Sequence, residues 1–123
     1  MARLLLLALL TGCAHYQWKP DGMDTDWYRW VKVPHAEFPA RCGFQARAGF
    51  MQGGACAVRL QAGVVMPGDT NLHTGERAKT ADAGRVCIIF GTMDEDEAKR
   101  MTDADGMDLW AHELRHCAGH NHQ

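Results

Sequence analysis

Residues 112–123 read HELRHCAGHNHQ, and no other stretch limits what the chain can fold into as much. Histidines at 112 and 116 are about one helical turn apart, so on a helix both imidazoles project to the same side. With His112 at zero and about 100° per residue, His116 falls at about 40° and Glu113 at about 100°. Met107, Trp110, Ala111, Leu114, Cys117 and Ala118 fall between about 140° and 260°, an apolar face that has to be buried against another layer. Leu109, at about 60°, lies on the polar side and is expected to line it, and Arg115, at about 300°, is expected to be a solvated flank. The pattern predicts a helix from about Ala104 to Ala118, opened by Thr102 with Asp105 and ended by Gly119. Gly119 can take the positive φ that turns the chain back, which brings His122 toward His112 and His116 as a third nitrogen ligand. His120 is the alternative: as ligand in place of His122, as a donor to an oxyanion, or as a solvent-facing side chain.

The layer that buries the helix is expected to be a sheet. WYRWVKV, from Trp27 to Val33, is aromatic and β-branched and is stopped by Pro34. Its tryptophans suit core packing better than carbohydrate stacking. ACAVRLQAGVV sets Cys56, Val58, Leu60 and Ala62 on one side before the Pro67-Gly68 stop. RVCIIFG, from Arg85 to Gly91, is a continuous apolar run that fits a buried strand. It is also the candidate to run along a cleft and hold an extended peptide by backbone pairing. Thr92 with Glu95 has capping-box spacing, and Asp94 to Glu97 place negative charge where a helix begins, so a short helix is predicted ahead of Lys99 and Arg100. Calcium binding by those acids is the less favoured explanation. Residues 35–54 and 68–84 read as loop. The expected fold is α+β over residues 27–123, a small antiparallel or mixed sheet of about three strands packed on a C-terminal zinc-binding helix.

The first residues do not belong to that domain. Arg3 is followed by an apolar run from Leu4 to Leu10, too short to span a bilayer and laid out like a secretion signal. Leu10-Thr11-Gly12-Cys13 resembles the lipobox of bacterial lipoproteins. The resemblance implies that residues 1–12 are a signal peptide, that cleavage precedes Cys13, and that Cys13 is lipidated. Several acyl chains attach a protein durably, so the membrane is an expected partner. Ala14, rather than an aspartate, resembles the sorting default for the outer membrane, facing the periplasm. Residues 13–26, with a turn at Pro20-Asp21-Gly22, read as a lipidated tether. Without Arg3, 12 Lys and Arg face 15 Asp and Glu, a formal charge of −3 with no basic footprint for nucleic acid. The cysteines beyond Cys13, namely Cys42, Cys56, Cys87 and Cys117, are even in number in an exported chain and read as disulfides with three possible connectivities. Pairing Cys42 with Cys56 and Cys87 with Cys117 is favoured, since the first closes a loop of about 15 residues, for about 3 kcal/mol, and the second pins the motif helix to the preceding strand.

The string His112-Glu113-x-x-His116-x-x-Gly119-x-x-His122 resembles the zinc site of the metzincin metallopeptidases. The resemblance covers residues 112–122 only. It implies His112, His116 and His122 as Zn2+ ligands and Glu113 as general base and proton shuttle for the attacking water. The family places a methionine turn after the third histidine, whereas Met93, Met101 and Met107 all precede His112 here. No oxyanion-stabilising group is indicated, and neither Tyr16 nor Tyr28 has positional support. The expected function is a lipid-anchored, zinc-dependent metallopeptidase that hydrolyses peptide or protein substrates in the cell envelope. The alternatives are a non-catalytic envelope metal-binding lipoprotein and a structural one.

Overall fold

The computed structural model describes residues 18–43, 54–103 and 106–122. The proposed signal peptide, Cys13 and Tyr16 lie outside those residues. In chain order the elements are β1 (Trp18–Pro20), β2 (Trp27–Lys32), a 3-10 turn (His35–Glu37), α1 (Phe38–Cys42), β3 (Ala55–Val65), β4 (Thr70–Asn71), β5 (Asp82–Gly91), α2 (Glu95–Ala98), α3 (Leu109–Cys117) and β6 (His120–His122). The architecture is α+β, with the C-terminal helix α3 packed on a mixed sheet.

The apolar run in β5 takes the position its composition demands. The sheet order is β3-β5-β2-β4, so β5 pairs antiparallel with β3 on one side and parallel with β2 on the other. A strand flanked on both edges and covered on both faces needs continuous apolar residues rather than alternation. Val86, Cys87 and Ile89 are accordingly at most 1% exposed. On one face Tyr28, Cys87 and Ile89 pack with Cys117 and Leu114 of α3. On the other, Val33 and Cys56 pack with Phe38 and Cys42 of α1, with Val31 and Phe90 alongside. Each face is stapled to its helix: Cys42–Cys56 joins α1 to β3 and Cys87–Cys117 joins β5 to α3, with Cα separations of 5.8 and 5.5 Å.

Several elements depart from the sequence expectation. Helix α1 lies in a stretch that reads as loop, because one turn of FPARC is too short to show a period; Pro39 sits in its first turn, where a missing N–H is tolerated. Helix α3 starts later than expected, since Asp108 caps it by accepting from Ala111 N at 2.6 Å. Thr102 instead forms an isolated bridge with Asp108. Asp94, not Thr92, caps α2, accepting from Glu97 N at 2.8 Å. The Thr92 hydroxyl accepts from Gly54 N at 3.0 Å. The tether expected over residues 13–26 is ordered structure from Trp18 onward, because β1 pairs antiparallel with β6. Among the described residues no helix is long and apolar enough to cross a membrane.

Cys87 and Cys117 are both fully buried and lie 30 residues apart, so their bond restrains a large loop in the unfolded chain. Replacing both by alanine is expected to cost about 2–5 kcal/mol, read as a lowered midpoint in thermal or urea denaturation of the oxidised protein.

Candidate metal centre

Helix α3 sets His112 and His116 one turn apart, and the chain must then reverse within three residues to bring His122 back. Gly119 makes that reversal with φ 93°, a conformation that a side chain rarely adopts. A Cβ at this position would also lie 3.0–3.2 Å from the Cβ, N and Cα of Asp24. The reversal is held by Asp21 N donating to Gly119 O and Thr25 N donating to Cys117 O, both at 2.9 Å. The buried Thr25 hydroxyl donates to the same carbonyl at 2.9 Å. Strand β6 then runs against β1 with Trp18 opposite His122 and Pro20 opposite His120.

The outcome is a cluster in which one ligand atom from each of His112, His116 and His122 lies within 4.8 Å of the others, positioned to bind a metal ion. Nε2 of His122 is 3.3 Å from Nε2 of His112. Two nitrogens bound at about 2.0–2.1 Å to one tetrahedral ion are separated by about 3.3–3.4 Å, so this pair already has the required spacing. His120 is not part of the cluster; its carbonyl faces Nδ1 of His116 at 3.0 Å, and its own buried Nδ1 has no hydrogen-bond partner among the described residues.

Groups behind the imidazoles orient them. Asp103 Oδ2 meets Nδ1 of His112 at 2.5 Å, with both side chains buried. With Nδ1 of His112 and His116 each committed to an oxygen, the lone pair on each ring sits on Nε2, facing the cluster. No local pattern marks Asp103, because it lies nine residues before His112 in a segment without periodicity. Leu109 N donating to Met101 O closes that segment onto the helix start, and Asp103 Oδ1 accepts from Met107 N. The signal that points to such a residue is the need of a metal-ligating histidine for a carboxylate at its second nitrogen.

Burial controls the protonation of the site. It holds His116 down at about 4, with His112 and His122 adding to the effect against the opposing pull of the His120 carbonyl, so the imidazole is a neutral ligand at pH 7. Glu113 is 3% exposed, and burial pushes its carboxyl up to about 8, with the Asp103 charge contributing. Its Oε2 is buried with no hydrogen-bond partner among the described residues. A buried carboxyl oxygen without a partner, on the residue next to His112, is the arrangement expected when its natural partner is a group on a bound metal, so the residues fit a metal centre.

The polar side of α3 is covered rather than open to solvent. Trp18 packs its indole against all the clustered imidazoles, with centroids 5.1, 5.0 and 4.8 Å from His112, His116 and His122. The Arg115 guanidinium, expected to be a plain solvated flank, lies 4.9 Å over the Trp18 ring. Arg59 of β3 pairs with Asp21 at 2.6 Å just beyond β1. The wheel cannot register this cover, because it comes from residues about a hundred positions away in sequence.

Strand β5 is corrected in its proposed role. Both of its backbone edges are already paired, so it has none left to offer an extended peptide. Strand β3, which α3 packs against, carries an outer edge that pairs with no other described strand. Tyr28 is committed elsewhere, donating to Glu95 Oε2 at 2.6 Å, where Trp110 Nε1 also donates at 2.9 Å. One of the acids that read as dipole complement on the helix start is thus also a half-buried acceptor.

Comparison with known protein families, with characterised proteins and with solved structures finds no match. The functional reading therefore rests on the geometry above.

Asp103→Asn removes the charge behind His112 while keeping the shape, and is expected to weaken Zn2+ binding about 10–100-fold with the fold retained, as measured by competition with a chromogenic chelator. Glu113 makes a second expectation. Its folded pKa is raised, so its contribution is fully present below about 4.5 and is lost as pH rises through about 8. Metal-free wild type should lose roughly a few kcal/mol of stability across that window, and Glu113→Gln should remove most of the loss. Denaturation midpoints of the two proteins between pH 5 and 8 check this.

Proposed function

We propose that this protein is a zinc-dependent metallopeptidase held at the cell envelope. The observation that carries the proposal is the buried, unpartnered Glu113 carboxyl beside the converging His112, His116 and His122. A metal buffer has no use for such a group, whereas a hydrolase needs a base at that position. Zn2+ in a site with these ligands supplies Lewis acidity and lowers the pKa of water toward about 7. His112, His116 and His122 would hold it, and Asp103 would keep His112 in its ligating tautomer. Glu113 would take a proton at its carboxylate and return it to the leaving amine, a role that requires the positive charge of the bound ion to offset the burial and the Asp103 charge that raise it to about 8. Further support comes from the metzincin-like string across residues 112–122.

The substrate class proposed is an extended peptide or an exposed protein segment. The outer edge of β3 offers backbone groups for pairing with it. Lipidation at Cys13 would hold the domain on the outer membrane facing the periplasm, where folded disulfides are also stable.

One observation favours a second reading. Trp18 packs against all three imidazoles of the cluster, as it would in a non-catalytic site where metal serves to lock the chain. Glu113→Ala separates the two. The peptidase reading expects stoichiometric zinc in this variant and a fall of at least about 1000-fold in cleavage of a peptide library, the size of effect seen when a base and its stabilising contacts are lost together. Equal cleavage by wild type and variant would sink it, and zinc-dependent folding with no hydrolysis by either would establish the non-catalytic reading.

A further inference from the structure

Strand β4 pairs with β2 only at Trp27 and Tyr28, so residues 29–32 of β2 pair with β5 on one side and with no described strand on the other. The direction of their backbone groups follows from the ends of the strand. Val33 N donates to Gly91 O of β5, whereas Asp26 O faces the other way and accepts from Leu72 N. Alternate residues of a paired strand point to opposite edges, so the N–H and C=O of Trp30 and Lys32 point away from β5. Beside them lies a cleft of about 450 Å³, bordered by Arg29 and Trp30 on one side and by Met66, Pro67 and Gly68 on the other. That volume is in the range of ligand pockets, and no residue of the metal cluster borders the cleft.

The cleft is blind at one end. A segment laid along Lys32 and then Trp30, antiparallel to β2, runs in the direction of β4 and meets Asp69 and Thr70, which already hold the next place. It has to stop there, at its carboxyl terminus. Opposite residues of an antiparallel pair share a face, so Tyr28, Thr70 and Arg77 form a row at that end. Arg77 is exposed, borders the cleft and has no acid partner among the described residues. The acids nearby are committed. Asp69, 2% exposed, is held by Arg29 at 2.7 and 2.8 Å and accepts from Met66 N at 2.8 Å, while Glu95 accepts from Tyr28 and Trp110. A parallel segment would bring its ammonium group to Arg77 instead, which like charge disfavours.

We propose that the edge of β2 is a peptide site separate from the metal centre, and that it captures the free carboxyl end of an extended chain. Trp30 and Lys32 supply the backbone ladder, and the Arg77 guanidinium donates to the terminal carboxylate. Residues 29–32 give room for about four residues at roughly 3.3 Å each. The site needs neither metal nor hydrolysis, so it stands or falls independently of the peptidase reading.

The test uses the full chain and fluorescein-labelled tetrapeptides of alternating alanine and valine, one with a free carboxyl end and one amidated. Binding is read by fluorescence anisotropy, with the probe checked intact by mass spectrometry. Wild type is expected to bind the acid at least about tenfold more tightly than the amide. Arg77→Ala should weaken the acid to the level of the amide and leave the amide unchanged, whereas Arg100→Ala, also exposed, should match wild type. N-methylating one alternate set of amides in the acid probe should weaken it about tenfold, and the other set should do less, since a strand pairs through one edge. Equal binding of acid and amide by wild type, or the same discrimination in Arg77→Ala, would overturn the proposal. A loss in Arg100→Ala as large as in Arg77→Ala would also overturn it, as general attraction of an anion. Absence of binding by either probe at millimolar concentration would do the same.

Discussion

The backbone of residues 18–25 runs antiparallel to that of residues 117–122, and the metal cluster exists only because it does. Helix α3 alone presents two imidazoles. The third depends on a chain reversal at Gly119 that side chains rarely make, packed so closely on Asp24 that a Cβ would be crowded. Thr25 ties its hydroxyl and its N–H to the Cys117 carbonyl, and that same residue is bonded to Cys87 in the central strand. A β-strand core, a disulfide, a helix end and a returning segment thus meet at one point. Rigid support of this kind is what lets a first shell keep its geometry.

Around that framework the polar groups are arranged in shells of decreasing certainty of charge. His112 and His116 each have their second nitrogen on an oxygen, which removes the tautomeric choice that an isolated imidazole has. Asp103 carries the compensating charge behind His112, and the same charge adds to the burial that keeps Glu113 protonated. The site therefore couples groups that pull in opposite directions: His116 resists gaining a proton and Glu113 resists losing one. A metal ion relieves both, since it needs neutral imidazoles and supplies positive charge beside the carboxylate.

Much of this was legible in the residues themselves. The apolar run of β5, the alternation in β2 and β3 and the i, i+4 histidines are local patterns, and local patterns survive into structure when burial agrees with them. The favoured cysteine pairing was legible as well, because loop closure and strand-to-helix proximity both point to it. Asp103 and Trp18 were not legible. Neither sits at a diagnostic spacing from the motif: Asp103 reaches it through a loop closed onto the helix start, and Trp18 through a strand pairing that spans most of the chain. The expected peptide-binding role of β5 failed for a related reason: a buried apolar run says that a strand is covered, and a covered strand in mid-sheet has no edge to give.

What the sequence by itself determined is the ligand chemistry: which side chains can hold a metal, which glycine lets the chain turn back, and which helix face must be buried. Those follow from residue type and from the roughly 3.6-residue period, which act over one or two turns. Only the tertiary structure decided the access to that chemistry. Sheet order made β3 the outer strand, loop closure brought Asp103 to His112, and the pairing of β1 with β6 set an indole over the site. These are contacts between separate segments, most of them far apart in the chain, governed by which surfaces bury each other best, and no local pattern encodes that competition.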